Sequence, residues 1–258
     1  MMSFDYRHGI SLMELVVYIP TSLLAVYVAH KHGYRKSSGW VYFVIFSLVR
    51  VVGSCCHLAT LADLNSTNLY VAYAICTAIG LSPLIVSCVG LLSRANQSII
   101  RQSSKPVNRR LFSTVSVASL VAVVLSIIGQ VKGFQAGEQN STQLLSKIGV
   151  IIFLAAWVGL AFSLFLIALR VRQISSGERR LVAAVGLSTL LLLIRVIYSV
   201  LSVLSNNTDF NMVAGNPTIM LVMAVLEEIT ICVICLGTGL NLPKQERIDT
   251  IEDYVVVG

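Results

Sequence analysis

IGVIIFLAAWVGLAFSLFLIAL, residues Ile148 to Leu169, runs for 22 positions without one ionisable or amide side chain. At about 1.5 Å per residue a helix of that length reaches roughly 33 Å, enough to cross a hydrocarbon core of about 30 Å. The run has no period-two alternation, and backbone surrounded by lipid must satisfy its own hydrogen bonds. A membrane-spanning α-helix is therefore predicted here, not a barrel strand. Six other apolar runs share this character. The predicted spans are residues 9–30, 39–62, 68–93, 111–132, 146–170, 179–204 and 217–240. The expected fold class is thus all-α, a polytopic transmembrane bundle of seven helices, with one membrane domain over residues 1–258 and a short tail at 241–258.

Composition agrees with lipid as the solvent. Of 258 residues 56% are hydrophobic and 12% charged, and the mean hydropathy is +0.82, far from an ordinary soluble mixture. Little chain remains for a soluble domain. The net charge of +7 does not point to nucleic acid, because the basic residues lie in short segments between apolar runs. All six cysteines fall inside predicted spans, which argues against a disulfide framework. The first run is too long for a signal-peptide core and has only Arg7 ahead of it, so it is expected to remain as the first helix.

Lys and Arg set the expected orientation. Fourteen of them (Lys31, Arg35, Lys36, Arg94, Arg101, Lys105, Arg109, Arg110, Arg170, Arg172, Arg179, Arg180, Lys244 and Arg247) lie after the first, third, fifth and seventh spans. The opposite side holds three, Arg7, Lys132 and Lys147, which places the N-terminus outside and the C-terminal tail in the cytoplasm. Acceptor sequons at Asn65, Asn140 and Asn206 fall on the outer side, where glycosylation is available. Asn96-Gln97-Ser98 matches the same pattern on the side expected to be inner. The basic segment Ser93 to Arg110 reads as a loop that fixes orientation, with attraction to anionic lipid as the less common role. An endoplasmic reticulum or plasma membrane location is expected.

Ionisable groups inside a bilayer are costly and mark candidate sites. Glu14 lies in the first span, Arg50 and His57 in the second, Arg195 and Tyr198 in the sixth, and Glu227 and Glu228 in the seventh. Counted from the outer ends at about 1.5 Å per residue, Glu14 and His57 lie roughly 8 Å deep, Arg195 roughly 14, Glu227 roughly 15 and Arg50 roughly 18. The sixth and seventh spans are consecutive and antiparallel, so an ion pair from Arg195 to Glu227 or Glu228 is predicted. The two glutamates point about 100° apart; one is expected to answer an arginine while the other faces a cavity as a proton donor. The competing reading, a structural pair that holds helices in register, carries nearly equal weight. Pro20 and Pro83 are expected to interrupt the first and third helices near their middles.

Other chemistry finds little support. Glu228, Cys232 and Cys235 share a helix face, but neither a metal nor any other cofactor is expected. The last helix has no lysine for a retinal Schiff base, and no nucleotide loop, Ser-His-Asp grouping or zinc-protease signature is present.

At His32-Gly33-Tyr34-Arg35 with Ser38-Gly39-Trp40, then Arg50-Val51-Val52-Gly53, the chain resembles a large fungal family of uncharacterised seven-helix integral membrane proteins, classified as a domain of unknown function. The likeness continues at Leu193 to Ser199, at Phe210-Asn211 with Gly215, and at Leu226-Glu227-Glu228-Ile229. It implies seven helices and a fungal source, but hardly any chemistry. The sixth and seventh spans also look distantly like the fungal lipid-translocating-exporter type. Small seven-helix terpene cyclases offer a third comparison, but their tryptophan-glutamate pair and aspartate-glycine motif are missing. The leading expectation is a lipophilic small molecule held between the second, sixth and seventh helices, with acid-assisted cyclisation or isomerisation in fungal secondary metabolism. Glu227 or Glu228 would be the catalytic acid, partnered by Arg50, Arg195 and Tyr198. The alternatives are an exporter or lipid translocator, and a seven-helix sensor or structural membrane protein. The oligomeric state stays open.

Overall fold

The structure is a computed structural model and describes residues 6–33, 38–63, 66–101, 107–136, 139–171, 174, 176–204 and 215–242. Asn65, Asn206, Phe210-Asn211 and the tail beyond Leu242 lie outside the described residues, while Asn140 falls in the first turn of a helix. Among the described residues seven helical stretches are long and apolar enough to cross a membrane, and no strand occurs. The chain is a multi-pass membrane protein. The helices are α1 (Tyr6–His32), α2 (Ser38–Ala59), α3 (Thr67–Ile79), α4 (Leu81–Arg101), α5 (Arg109–Ala136), α6 (Gln139–Ala168), α7 (Ser176–Leu204), α8 (Pro217–Met220) and α9 (Leu226–Asn241). A π-helical turn, Leu221–Val225, joins α8 to α9.

Two predicted spans are thus composite. The third, expected as one helix over 68–93, divides at Gly80 into α3 and α4. Pro83 supplies the reason: it lacks an N–H, and its ring crowds the carbonyl of Ile79 four residues earlier. The break therefore sits a turn before the proline, whereas Pro20 lies within a continuous α1. The third span also runs on to Arg101, deep into the segment expected as a basic loop. Arg94 is buried against Glu178 of α7 at 3.0 Å, and the Asn96 amide both donates to and accepts from the backbone of Val107 at 2.9 Å. Polar residues that resemble a solvated loop are satisfied here by protein partners, one on α7 and one just ahead of α5.

The composite third span is the centre of the bundle. Of its most apolar window 78% is buried, against 28% for the first span, and α4 packs on α2, α5, α6 and α7. Outward faces are apolar in the way a lipid-facing surface requires: Leu12, Val16, Ile19 and Leu23 form one stripe of α1, and Ile151, Leu154, Val158, Phe162 and Phe165 one of α6. Helices α5 and α6 approach closely through small residues, the pattern that lets backbones meet where lipid removes the hydrophobic drive for association. A Cβ at Gly149 would fall 3.1 Å from the carbonyl oxygen of Ala122.

The predicted inner end is tied together by α9. Its last carbonyls accept from α1: Lys31 donates to Leu240, and His32 Nε2 lies 2.9 Å from the oxygen of Gly239. His32 also stacks on Trp40 and hydrogen-bonds Arg94, so α1, α2, α4, α7 and α9 meet in one cluster. Trp40 is fully buried, and a Cβ at Gly239 would fall 2.5 Å from its Cη2. Gly239→Ala is therefore expected to destabilise the protein by about 1–3 kcal/mol through overpacking. Thermal unfolding in detergent would read this as a lower midpoint, and an unchanged midpoint would show that Trp40 has room to move.

Candidate functional site

Glu228 is the centre of the charged cluster. Its side chain is fully buried, its Oε1 accepts from Nε of Arg195 at 3.0 Å, and both its carboxylate oxygens contact Nη2 of Arg50. Arg50 reaches on to Glu14, 3.9 Å away, and the second oxygen of Glu14 accepts from the Ser54 hydroxyl at 2.7 Å. Arg195 spends its remaining donors on Ser199 Oγ, at 3.2 Å, and on the carbonyl of Thr77, at 3.4 Å. The order Glu14–Arg50–Glu228–Arg195 joins α1, α2, α9 and α7, and its two negative and two positive charges cancel.

Local sequence places each member. Arg50 and Ser54 are four residues apart on α2, as are Arg195 and Ser199 on α7, so each serine stands beside its arginine's face. Both guanidinium groups also lie against aromatic rings: Arg50 over Phe46 and Arg195 over Tyr198, each 5.6 Å from the ring centre. The break between α3 and α4 makes space for Arg50. A Cβ at Gly80 would lie 2.8 Å from its Nη2, so the missing side chain admits the guanidinium.

The ion pair expected between the sixth and seventh spans is therefore made by Glu228, and Glu228 binds Arg50 as well. Glu227 stands apart. It is 7% exposed, and no hydrogen bond or ion pair engages its carboxyl among the described residues. It remains within electrostatic reach of Arg195 and Glu228. The π-turn just before the two glutamates adds backbone to the helix and resets their rotation, a device often found at functional positions.

His57 is not part of this set. It stacks on His8 at 4.6 Å and on Tyr73 at 4.4 Å, and its Nδ1 lies 2.8 Å from the Ser11 hydroxyl. His8 in turn hydrogen-bonds Thr60 at 3.3 Å. These residues form a separate polar layer nearer the N-terminal end of α1 and the C-terminal end of α2. Tyr198 belongs to a small apolar cluster with Ile10, Met220, Ala224 and Val225, just before the glutamates in the seventh span. No group of three or more His, Cys, Asp or Glu with metal-binding geometry occurs among the described residues.

Ser54, Thr77, Gly80 and His8 are not among the residues expected from sequence, and Ser199 enters there only as the end of the Leu193 to Ser199 likeness. For the serines a signal existed in their four-residue spacing from each arginine. For Gly80 it was the Gly-Leu-Ser-Pro run, which marks a helix break and hence a place where another side chain can enter.

The family described as Domain of unknown function (DUF7702) matches residues 4–246. The chain belongs to this family. That stretch of DUF7702 contains the whole charged network, the His8–His57 layer and both composite spans. Comparison with curated proteins gives no match, and comparison with solved structures gives none.

The network and the unengaged carboxyl should respond differently to substitution. Glu228→Ala leaves two buried guanidinium groups without their shared counter-charge, and a loss of about 3–5 kcal/mol is expected. Glu227→Ala removes no hydrogen bond and relieves an unpaired buried carboxyl, so stability should hold or rise, by up to about 1–3 kcal/mol. Paired thermal melts of the two variants would check this, and equal losses would mean that Glu227 also carries structural load.

Proposed function

We propose that this membrane protein binds a lipophilic small molecule that enters from the bilayer, and that Glu227 is the group that meets it. The observation that carries this reading is the Glu227 carboxyl, buried and unengaged beside a set of charges that already balance. Leaving such a group without a partner costs about 1–3 kcal/mol, which a ligand hydroxyl, amine or carbonyl would offset. Tyr198, Ile10, Met220 and Ala224 supply an apolar neighbourhood just before it in the span. The lipophilic body of the ligand would lie there.

The chemistry that suits this arrangement is acid-assisted isomerisation or cyclisation. Glu227 gives its proton to an alkene or carbonyl oxygen of the substrate, and the carboxylate later recovers a proton from carbon. A positive charge on the substrate would then face no uncompensated cation, because Glu14 and Glu228 together balance Arg50 and Arg195. In this reading Glu14, Arg50, Arg195 and Glu228 position the site, and His57 has no part in the proton transfer. The orientation proposed has the N-terminus outside and the tail in the cytoplasm, in the endoplasmic reticulum or plasma membrane.

A second reading, an exporter or lipid translocator, draws on the interruptions. The break at Gly80 and the π-turn at Leu221–Val225 both lie close to the charges, and discontinuous helices near the midplane are a transporter device.

Organic extracts of the full-length protein, purified from its own membranes, separate these readings when compared with extracts of Glu227→Gln. At equal yield, one compound enriched with the wild type and lost from the variant is expected; identical extracts would remove Glu227 from any ligand site. Incubating that compound with the wild type in deuterated water should give a product carrying deuterium. Binding without isotope uptake or a new product would discard the enzyme, and passage of the compound across a liposome wall would favour the exporter.

A further inference from the structure

A groove of about 370 Å³ opens at the predicted cytoplasmic edge of the bundle, between the start of α7 and the end of α9. It lies at the ends of two spans, Gly177–Leu204 and Pro217–Asn241, which is the level where lipid headgroups meet hydrocarbon. Ile234 and Leu242 give it an apolar wall, and Arg180, Thr238 and Asn241 a polar one.

Among the described residues its charge is one-sided. Arg180 is exposed and has no ion-pair partner among the described residues. The nearby acidic side chain, Glu178, is already taken by Arg94 at 3.0 Å. Arg179, the next residue back on α7, is turned to the carbonyl of Ile174 at 2.8 Å and lies outside the groove lining. Two of the carbonyls at the end of α9, those of Leu240 and Gly239, which would repel an anion, are occupied by Lys31 and His32. Thr238 donates its hydroxyl to the Ile234 carbonyl and Asn241 one amide N–H to the Gly237 carbonyl, which leaves the second amide N–H of Asn241 as the donor on this wall. The first N–H groups of α7, at Gly177, lack intrahelical acceptors. Gly237 keeps the cavity open, since a Cβ added there meets nothing within 4 Å.

From this arrangement we propose that the groove is a binding site for the phosphate of an anionic membrane lipid. Arg180 engages the phosphate, and Ile234 and Leu242 receive the glycerol and the upper acyl chain. The cytoplasmic leaflet is the anionic one, and each basic residue near its surface contributes about 1 kcal/mol to headgroup attraction. The site is independent of Glu227 and of any ligand bound there.

Native mass spectrometry of the full-length protein in detergent tests the site, with dioleoyl phosphatidic acid, dioleoyl phosphatidylcholine and inorganic phosphate as separate probes. One phosphatidic acid per chain is expected. Its affinity should fall at least about fivefold in Arg180→Ala, which loses the charge. A comparable fall is expected in Gly237→Leu, which keeps the charge and fills the space, while Arg180→Lys should retain most of the binding. Gly237→Val carries the same arm should the leucine variant not elute as a single peak. Wild-type affinity in both Gly237 variants would mean a diffuse basic surface and overturn the groove. Phosphatidylcholine bound as tightly as phosphatidic acid would overturn the choice of an anionic headgroup. Full displacement of the lipid by equimolar inorganic phosphate would assign the site to a soluble anion instead.

Discussion

One carboxylate answering two guanidinium groups in a water-free interior is the constraint around which the bundle is arranged. Glu228 has no exposed surface, and Arg50 and Arg195 approach it from different helices. Two buried arginines cost far more than the helices gain by apolar packing unless a counter-charge lies between them. The rotations of α2, α7 and α9 about their axes are therefore linked, since each must aim one side chain at a common point. Glu14 brings α1 into the same arrangement through Arg50.

The backbone gives way where the side chains need room. Gly80, at the joint of α3 and α4, admits the Arg50 guanidinium, and the Thr77 carbonyl nearby accepts from Arg195. The seventh span absorbs a π-turn just ahead of the glutamates. Neither irregularity faces lipid alone: one lies in the most buried span and the other against Tyr198 and Ile10, so polar backbone is exposed where protein can receive it.

The spans could be read from sequence because lipid imposes length and hydropathy together, and a run such as Ile148 to Leu169 has hardly another solution. Depth was legible for the same reason, so Arg195 and the glutamates could be set at one level. Rotation was not. Whether Glu227 or Glu228 faces inward depends on a π-turn that no residue in Leu221–Val225 announces, and the reach of Arg50 to Glu228 depends on packing between segments far apart in the chain. The C-terminal end of the third span is helical where a loop is expected from sequence, for a related reason. Arg94 and Asn96 resemble loop residues until Glu178, 84 residues on, and Val107, 11 residues on, are brought to them.

The position of Glu228 in the chain has a consequence for biogenesis. It follows Arg50 by 178 residues and Arg195 by 33, so both arginines leave the ribosome before the group that neutralises them exists. Arg50 has an earlier companion in Glu14, on the first helix to enter the bilayer, and the pair can go in as a hairpin. Before the last span is made, Arg195 has Ser199 and the Thr77 carbonyl as acceptors but no counter-charge. An unpaired arginine at the centre of a span costs about 2.5–3.5 kcal/mol, and α9 lifts that cost from α7 when it brings Glu228.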